Sequence, residues 1–204
     1  VPLLLIMVSI ENIFASGAAV LAGRQLGADD ADEASRTVTT ILGLSIVIGI
    51  LLCIGGIIFI EPLMRAFGAS DASLPLAKDY AFWMFVAALA NLPAQCMNCA
   101  ARAESSVKIS SIAVITGALL NVLLDPVFMF DWGLGMGVEG ASLATTISQF
   151  VTFFILMWFY LSGRSVIKLH IRSFRPSGKL IWTVTSIGIP TAVIPVSYTH
   201  LRAH

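Results

Sequence analysis

Charged residues are scarce in this chain of 204 residues. Asp, Glu, Lys and Arg make up only 12% of the sequence, whereas soluble domains carry about 25%, and 57% of the residues are hydrophobic, with a mean hydropathy of +0.90. This composition excludes intrinsic disorder, collagen, an ordinary cytosolic enzyme and a nucleic-acid-binding protein, so we expect no nucleic-acid partner. The 12 basic and 12 acidic residues cancel, and only their placement is informative.

Histidine and cysteine are also scarce, with three residues of each. His170 is the only histidine before residue 197, so a nucleophile such as Ser142 has no base beside it in the hydrophobic runs. Cys96 and Cys99 form a C-x-x-C pair, but they lack the βαβ setting of redox proteins and are interpreted as packing residues. Zinc-ligand spacing is absent. We expect neither enzyme activity nor a cofactor.

Long hydrophobic runs dominate the sequence instead. A spanning helix requires about 20 mostly apolar residues. Such runs lie approximately at 3–21, 38–60, 81–101, 109–130 and 138–161, and a sixth covers 180–196. Short breaks separate them, so consecutive helices are expected to be antiparallel neighbours. The predicted fold class is an all-α, polytopic transmembrane helix bundle with about six spans.

Four segments follow from these runs. Residues 1–161 hold the first five spans, 162–179 form a loop rich in Lys and Arg (the basic loop), and 180–196 begin the next span. The chain starts with Val1 inside a hydrophobic run, so we expect an earlier segment. Residues 197–204 resemble translated adaptor sequence and are predicted to be a non-native tail.

Lys and Arg are concentrated in alternate breaks. Those after the first, third and fifth runs hold nine: Arg24, Arg36, Arg102, Lys108, Arg164, Lys168, Arg172, Arg175 and Lys179. The break after the second run holds only Arg65 and Lys78, and the break after the fourth holds none. Because cytoplasmic loops retain Lys and Arg, the loops near 23–37, 102–108 and 162–179 are predicted to be cytoplasmic, in a multi-pass protein of the cytoplasmic membrane. The basic loop is interpreted as topogenic, with an anionic-lipid or nucleic-acid patch as the alternative.

The segment from Gly135 to Gly140 matches G-x-G-x-x-G, the dinucleotide-binding fingerprint. That fingerprint functions between a strand and a helix, whereas this segment joins two predicted spans. We therefore interpret its glycines as making a tight turn and allowing helices to approach closely.

One carboxylate, Asp125, lies at membrane depth, where it persists only if it faces protein or water. Asn121 lies four positions earlier on the same helical face and can share a ligand or a hydrogen bond, and Pro126 frees a backbone carbonyl where a helix can bend. Burial favours the protonated acid and a bound cation favours the carboxylate, so this group can exchange H⁺ or Na⁺; the alternative is a structural carboxylate. Thr145 and Thr146 can add hydroxyl ligands or bond their own backbone.

Further polar side chains interrupt the first and third runs. Asn91, Gln95 and Asn98 recur at i, i+4 and i+7 and form one stripe, which suits either a water-filled cavity or interhelical hydrogen bonding. Glu11 either lines the same cavity or pairs with Arg24, although about 20 Å of helix separates the last two.

Residues 17–27, Gly-Ala-Ala-Val-Leu-Ala-Gly-Arg-Gln-Leu-Gly, and residues 121–126, Asn-Val-Leu-Leu-Asp-Pro, together resemble motifs of one transporter family, the multidrug and toxic compound extrusion (MATE) family. Residues 17–27 are similar to the small-residue, Arg, Leu-Gly motif that follows the family's second helix. Residues 121–126 resemble its fifth-to-sixth helix signature, together with Phe128, Gly135, Gly137, Val138, Gly140, Ala141, Ala144, Thr145 and Gln149. The resemblance spans about residues 1–196.

The resemblance implies the N-terminal half of a twelve-helix transporter with two six-helix lobes, covering helices two to seven. It implies that Asp125 and Asn121 belong to a cation or proton site, that Thr145 supplies a hydroxyl to it, and that Asn98 lies near the drug cavity. The missing partners would be an acid on the first helix and the C-terminal lobe of the same chain. Residues 102–106 depart from the family's Arg-Gly-x-Gly pattern, and Glu11 is not part of it.

The function implied is an antiporter, driven by H⁺ or Na⁺, that exports amphipathic organic cations by alternating access through a cavity lined by Asn91, Gln95, Asn98 and Glu11. The alternatives are a lipid-linked oligosaccharide flippase of the same superfamily, which requires basic residues in the cavity, and a membrane assembly or structural protein. The bilayer and small organic cations are the expected partners.

Overall fold

The computed structural model describes residues 2–170 and 173–201, and the regular structure in these ranges is helical, without strands. In chain order the helices are α1 (Pro2–Gly27), α2 (Ala31–Ile58), α3 (Ile60–Ala66), α4 (Leu74–Ala103), α5 (Val107–Met129), α6 (Val138–Leu161) and α7 (Gly178–Leu201). The predicted all-α fold class is confirmed.

Four of the described helices, α2, α4, α5 and α6, are long and apolar enough to cross a membrane. They coincide with the second to fifth predicted spans, so the chain is a multi-pass membrane protein. The first and sixth predicted spans form α1 and α7, which are long but are not among these four. Helix α7 continues to Leu201, past the end predicted near residue 196. Residues 202–204 lie outside the described residues, and the non-native tail stays a prediction.

Local sequence signals set several helix boundaries. Asp30 Oδ1 accepts a hydrogen bond from the backbone N–H of Glu33 (3.0 Å), which caps the start of α2. Ser177 Oγ accepts one from the N–H of Leu180 (3.1 Å) in the same way at α7. These caps satisfy amide groups that have no partner within the helix.

Helix α3 was not predicted, because the segment after the second hydrophobic run was interpreted as a loop. Arg65 lies four residues after Glu61 and contacts it at 3.4 Å, a spacing that stabilises a short helix. Arg65 also pairs with Asp71 (2.8 Å), and Lys78 pairs with Glu61 (3.2 Å). The few cations of this break are therefore held in ion pairs.

The chain forms two compact units, which are described separately. Unit 1 comprises residues 1–45, 95–110 and 156–204, and unit 2 comprises residues 46–94 and 111–155. Unit 1 includes all three loops predicted to be cytoplasmic. Unit 2 includes the connections between α2 and α4 and between α5 and α6.

Unit 1 is packed through small residues and a few large apolar side chains. A Cβ atom on Gly188 of α7 would lie 1.9 Å from the carbonyl oxygen of Ile13 of α1, so only glycine allows this approach. Met97 and Leu156 are fully buried, and the hydroxyl of Tyr160 donates to the Met97 carbonyl (3.0 Å). This bond ties α6 to α4.

Unit 2 contains the glycine-rich turn between α5 and α6. Gly135 and Gly137 have φ angles of +62° and +59°, which L side chains rarely adopt. A Cβ on Gly140 would lie 2.6 Å from the carbonyl oxygen of Phe128. The turn and the close approach predicted from this motif are confirmed. The segment joins helix α5 to helix α6, whereas a dinucleotide-binding fingerprint joins a strand to a helix.

Candidate ion and substrate site

Three polar side chains from α5 and α6 meet in unit 2. The Nδ2 group of Asn121 donates to Asp125 Oδ1 (3.2 Å) and to Thr145 Oγ1 (3.2 Å), and all three residues are half-buried. Asn121 and Asp125 lie one helical turn apart on α5, whereas Thr145 comes from α6. The structure therefore brings together the three residues predicted to form the ion site.

The chain around Asp125 explains why these two helices meet there. Pro126 has no N–H to donate, yet α5 continues through it to Met129. The turn that follows folds back on the end of α5, because Leu134 and Met136 donate their N–H groups to the carbonyls of Val127 (2.9 Å) and Phe128 (2.8 Å). This closure starts α6 beside the end of α5 and sets Thr145 opposite Asn121.

The two neighbouring threonines have different partners. Thr145 donates its hydroxyl proton to the Ala141 carbonyl (3.0 Å) and accepts from Asn121. The hydroxyl of Thr146 lies 2.8 Å from the carbonyls of both Ser142 and Trp83. Each threonine thus bonds the backbone of its own helix, which was one of the two alternatives, and only Thr145 also contacts Asn121. A role for either hydroxyl as an ion ligand stays a prediction.

The cluster is rich in oxygen, the ligand atom that hard cations prefer. Asp125 supplies a carboxylate, Asn121 a carbonyl and Thr145 a hydroxyl. In the described structure, however, Asn121 turns its NH₂ group toward the other two side chains. Its carbonyl oxygen must face the same point if a cation is to be held there, which requires the amide to rotate by half a turn.

The polar stripe of α4 is split between the two units, with Asn91 in unit 2 and Gln95 and Asn98 in unit 1. From Ala90 to Ala101 every side chain is buried except those of Asn91 and Gln95, which are half-buried. Two amide side chains are thus the accessible residues of an otherwise enclosed stretch of helix. Their predicted role in a cavity stays a prediction.

Asn98 is used differently, because it is only 5% exposed. Its Oδ1 accepts a short hydrogen bond from Ser110 of α5, and its Nδ2 lies 3.5 Å from Gln95 Oε1. Of the two roles considered for the stripe, interhelical hydrogen bonding describes Asn98. Its role in the drug cavity stays a prediction.

Glu11 is buried within α1, with 8% of its surface exposed, while Arg24 near the end of the same helix is exposed. The predicted role of Glu11 in the cavity is untested. The three cysteines are buried and free, which agrees with their interpretation as packing residues. In the described ranges no group of three or more His, Cys, Asp and Glu side chains is placed to hold a metal ion.

The sequence did not predict one polar contact of unit 2. The indole N–H of Trp83 on α4 donates to Glu139 Oε1 at the start of α6 (3.0 Å). A carboxylate at this position is favoured by the positive end of the helix dipole. The two residues are 56 positions apart, so no spacing in the sequence indicates their contact.

Glu104 of unit 1 was noted only as part of a departure from the family pattern. Its Oε2 accepts hydrogen bonds from the Ser165 hydroxyl (2.6 Å) and from the Ile167 N–H (3.1 Å), while Oε1 is buried without a hydrogen-bond partner in the described residues. Glu104 also lines a pocket of about 390 Å³, together with Gly23, Leu26, Gly27, Ala103, Ser105 and Val166. All three loops predicted to share one side of the membrane contribute to this pocket.

Known proteins resemble this chain both in sequence and in structure. The chain is 25% identical over 195 residues to the multidrug export protein MepA of Staphylococcus aureus (strain bovine RF122 / ET3-1), which covers 96% of this chain and 43% of that protein. It matches the inward-facing structure of a multidrug resistance MATE family transporter of the MOP superfamily with a TM-score of 0.85 and 26% identity, over 94% of this chain and 43% of the other.

The outward-facing structure of a multidrug resistance MATE family transporter of the MOP superfamily matches with a TM-score of 0.84 and 27% identity, over 94% of this chain and 42% of the other. The chain thus spans less than half the length of these relatives. The family model MatE matches residues 1–127, a range that includes Asn121 and Asp125. The chain therefore belongs to the MatE family.

Proposed function

We propose that this chain works in an antiporter of the cytoplasmic membrane, in which H⁺ or Na⁺ drives the export of amphipathic organic cations by alternating access. The observation that carries the proposal is the cluster of Asp125, Asn121 and Thr145, in which Asn121 donates both to the Asp125 carboxylate on its own helix and to Thr145 on α6. Membership of the MatE family and similarity to a multidrug export protein support it.

The cluster offers a way to convert ion binding into helix movement. A cation at Asp125 is met by oxygen atoms, so it requires the Asn121 amide to rotate and to withdraw its NH₂ group from Thr145. Protonation of Asp125 removes the negative charge that strengthens its bond with Asn121. Either ion therefore changes the hydrogen bonds of Asn121, the residue that links α5 to α6. An ion shifts a conformational equilibrium only through such a difference in binding.

Asn91 and Gln95 are proposed to contact the substrate. Amide side chains can hydrogen-bond varied polar groups without fixing a charge, which suits a cavity that accepts several amphipathic molecules. The matched inward-facing and outward-facing relatives give nearly equal TM-scores, 0.85 and 0.84. This near equality supports alternating access by movement of large parts of the transporter rather than refolding of the matched region.

The proposal is tested by Asp125→Asn, which preserves size and hydrogen bonding but cannot ionise. In cells that produce the protein, we expect export of a fluorescent lipophilic cation to fall at least about tenfold, the loss produced by roughly 1.4 kcal/mol of coupling free energy. The matched control is Asp131→Asn, an exposed acid in the turn after α5, which should leave export unchanged. Export by Asp125→Asn at the wild-type rate would contradict coupling at this site.

Proteoliposomes distinguish the two ions. A pH gradient and a Na⁺ gradient of equal magnitude are imposed separately, and dye movement is recorded for the wild type and for Asp125→Asn. We expect one gradient to drive transport in the wild type and neither to do so in the variant. Transport that needs neither gradient would leave a structural role for Asp125.

A further inference from the structure

The described parts of the basic loop, residues 162–170 and 173–179, are held at several points by other parts of unit 1. Near its start Ser165 and Ile167 bond to Glu104, as described above. Further along, the N–H groups of Lys168 and Arg175 donate to Ser35 Oγ (3.0 Å) and Thr40 Oγ1 (3.3 Å) of α2. Ile167 is completely buried. The basic loop is therefore a fixed surface.

The described cations of this loop have no acidic partner among the residues that the structure describes. Between Trp158 and Trp182 the sequence contains five Lys or Arg residues and no Asp or Glu. The side chains of Arg164, Lys168 and Arg175 are exposed, and among the described residues none of them forms an ion pair. The polar anchors of the loop use the Ser165 hydroxyl and backbone N–H groups, so they leave the cationic side chains available to a ligand.

Aromatic side chains flank these cations. Trp158, at the end of α6, is 58% exposed, and the guanidinium carbon of Arg164 lies 5.3 Å from the centre of its ring. Trp182, in the first turns of α7, is 72% exposed. Exposed tryptophans at the ends of spanning helices mark the headgroup level of a bilayer, and a cation held over such a ring lies at the same level.

We propose that Arg164, Lys168 and Arg175 of the basic loop, together with the two flanking tryptophans, bind the phosphate groups of anionic phospholipids in the leaflet that faces the loop. Cations at headgroup level attract anionic lipid at about 1 kcal/mol each, which corresponds to roughly a fivefold change in the association constant. Because the loop is already fixed, little conformational entropy is lost when lipid binds. The proposal concerns a lipid site and does not depend on the transported substrate.

The test uses the tryptophans as reporters. The protein is reconstituted in phosphatidylcholine vesicles that contain a small fraction of brominated phosphatidylglycerol or, in parallel, brominated phosphatidylcholine, and quenching of tryptophan fluorescence is measured against the fraction of brominated lipid. We expect an association constant for phosphatidylglycerol at least about fivefold above that for phosphatidylcholine, falling as salt is raised. Equal quenching by the two lipids would overturn the proposal.

Variants locate the site. Arg164→Gln combined with Lys168→Gln should remove most of the preference, whereas Arg65→Gln combined with Lys78→Gln, which removes the same charge from unit 2, should keep it. The pair Arg164→Lys and Lys168→Arg retains both charges and should also keep it, which separates charge from damage to the fold. If the two double Gln variants lost the preference for phosphatidylglycerol equally, the assignment to this loop would be contradicted. A preference abolished by millimolar inorganic phosphate would indicate a free-phosphate site and would overturn the lipid assignment.

Discussion

The two units hold their loops in different ways. In unit 1 the basic loop is fixed by side-chain oxygens of Glu104, Ser35 and Thr40, which accept backbone N–H groups. In unit 2 the turn between α5 and α6 closes through its own backbone on the last carbonyls of α5. A long loop needs side-chain partners for its amides, whereas a short turn satisfies them at a helix end but needs glycines to do so.

The difference predicts where each unit is vulnerable. Unit 2 should be most sensitive to added volume in the turn, because backbone meets backbone there. The basic loop of unit 1 should be most sensitive to the removal of a polar group, because its amides have few other partners. The variants below test this contrast.

The largest effect is expected for Gly140→Ala in unit 2. Its Cβ would lie 2.6 Å from the Phe128 carbonyl oxygen, so the backbone must shift, at a cost of about 1 to 3 kcal/mol. Thermal unfolding in detergent measures the loss. Gly55→Ala is the control, since nothing lies within 4 Å of its Cβ and alanine favours the helix, so stability should rise slightly. Equal effects of the two substitutions would show that close approach does not limit this turn.

Glu104→Ala should give the next largest effect, in unit 1. It leaves the Ser165 hydroxyl and the Ile167 N–H without their acceptor, which costs about 1 to 3 kcal/mol. Hydrogen exchange at the Ile167 amide should become much faster, while exchange in the α5 to α6 turn stays unchanged. Asp29→Asn, at an exposed acid of the same unit, should alter neither. Unchanged exchange at Ile167 would show that Glu104 does not hold the loop.

The adjacent threonines of α6 sharpen the contrast within unit 2. Thr146→Val removes a hydroxyl that contacts the Trp83 carbonyl, so stability should fall by about 1 kcal/mol while dye export persists. Thr145→Val removes the acceptor for Asn121 and should reduce export more than stability. Paired unfolding and export measurements test this separation. If Thr146→Val reduced export and Thr145→Val did not, the assignment of the ion site to Asn121 and its neighbours would be contradicted.

The smallest effect concerns Glu61 of unit 2, which is exposed. Its hydrogen bond and charge interaction with Lys78, with a further contribution from Arg65, lower the pKa of the Glu61 carboxyl. Because the folded-state pKa is the lower one, the stabilisation is present above the unfolded-state pKa and is lost as pH falls through the folded-state value. Glu61→Gln should therefore flatten the acid side of the stability profile slightly. Superimposable profiles would show that the pairs contribute nothing.

Sequence patterns predicted most of the fold. Hydrophobic runs of spanning length located α2, α4, α5 and α6. The distribution of Lys and Arg predicted that three loops lie on the same side of the membrane, and all three loops line the pocket of unit 1. Helix α3 was missed because its stability depends on ion pairs rather than on a hydrophobic run. The basic loop was interpreted only from its charge, because its anchors are distant in sequence: Glu104 lies 61 residues from Ser165, and Ser35 and Thr40 lie more than 130 residues from the groups they bind.

The candidate site was predictable to the extent that it is local. Asn121 and Asp125 share a helical face by spacing alone, and the resemblance to the family singled out Thr145 from the two neighbouring threonines. Asn98 shows the limit of spacing: its periodicity equals that of Asn91 and Gln95, yet its neighbours bury it against Ser110. The Trp83 to Glu139 contact joins distant helices, so it depends on tertiary packing that one sequence does not display.

The anchoring of the basic loop also limits the reach of α7. Residues 162–177 connect α6 to α7, and a free chain of this length could extend roughly 50 Å. With Arg175 bonded to Thr40, only Pro176 and Ser177 remain between that bond and the first residue of α7. The first turn of α7 is thus connected to α2 through this bond and two intervening residues. A displacement of one helix is therefore expected to displace the other.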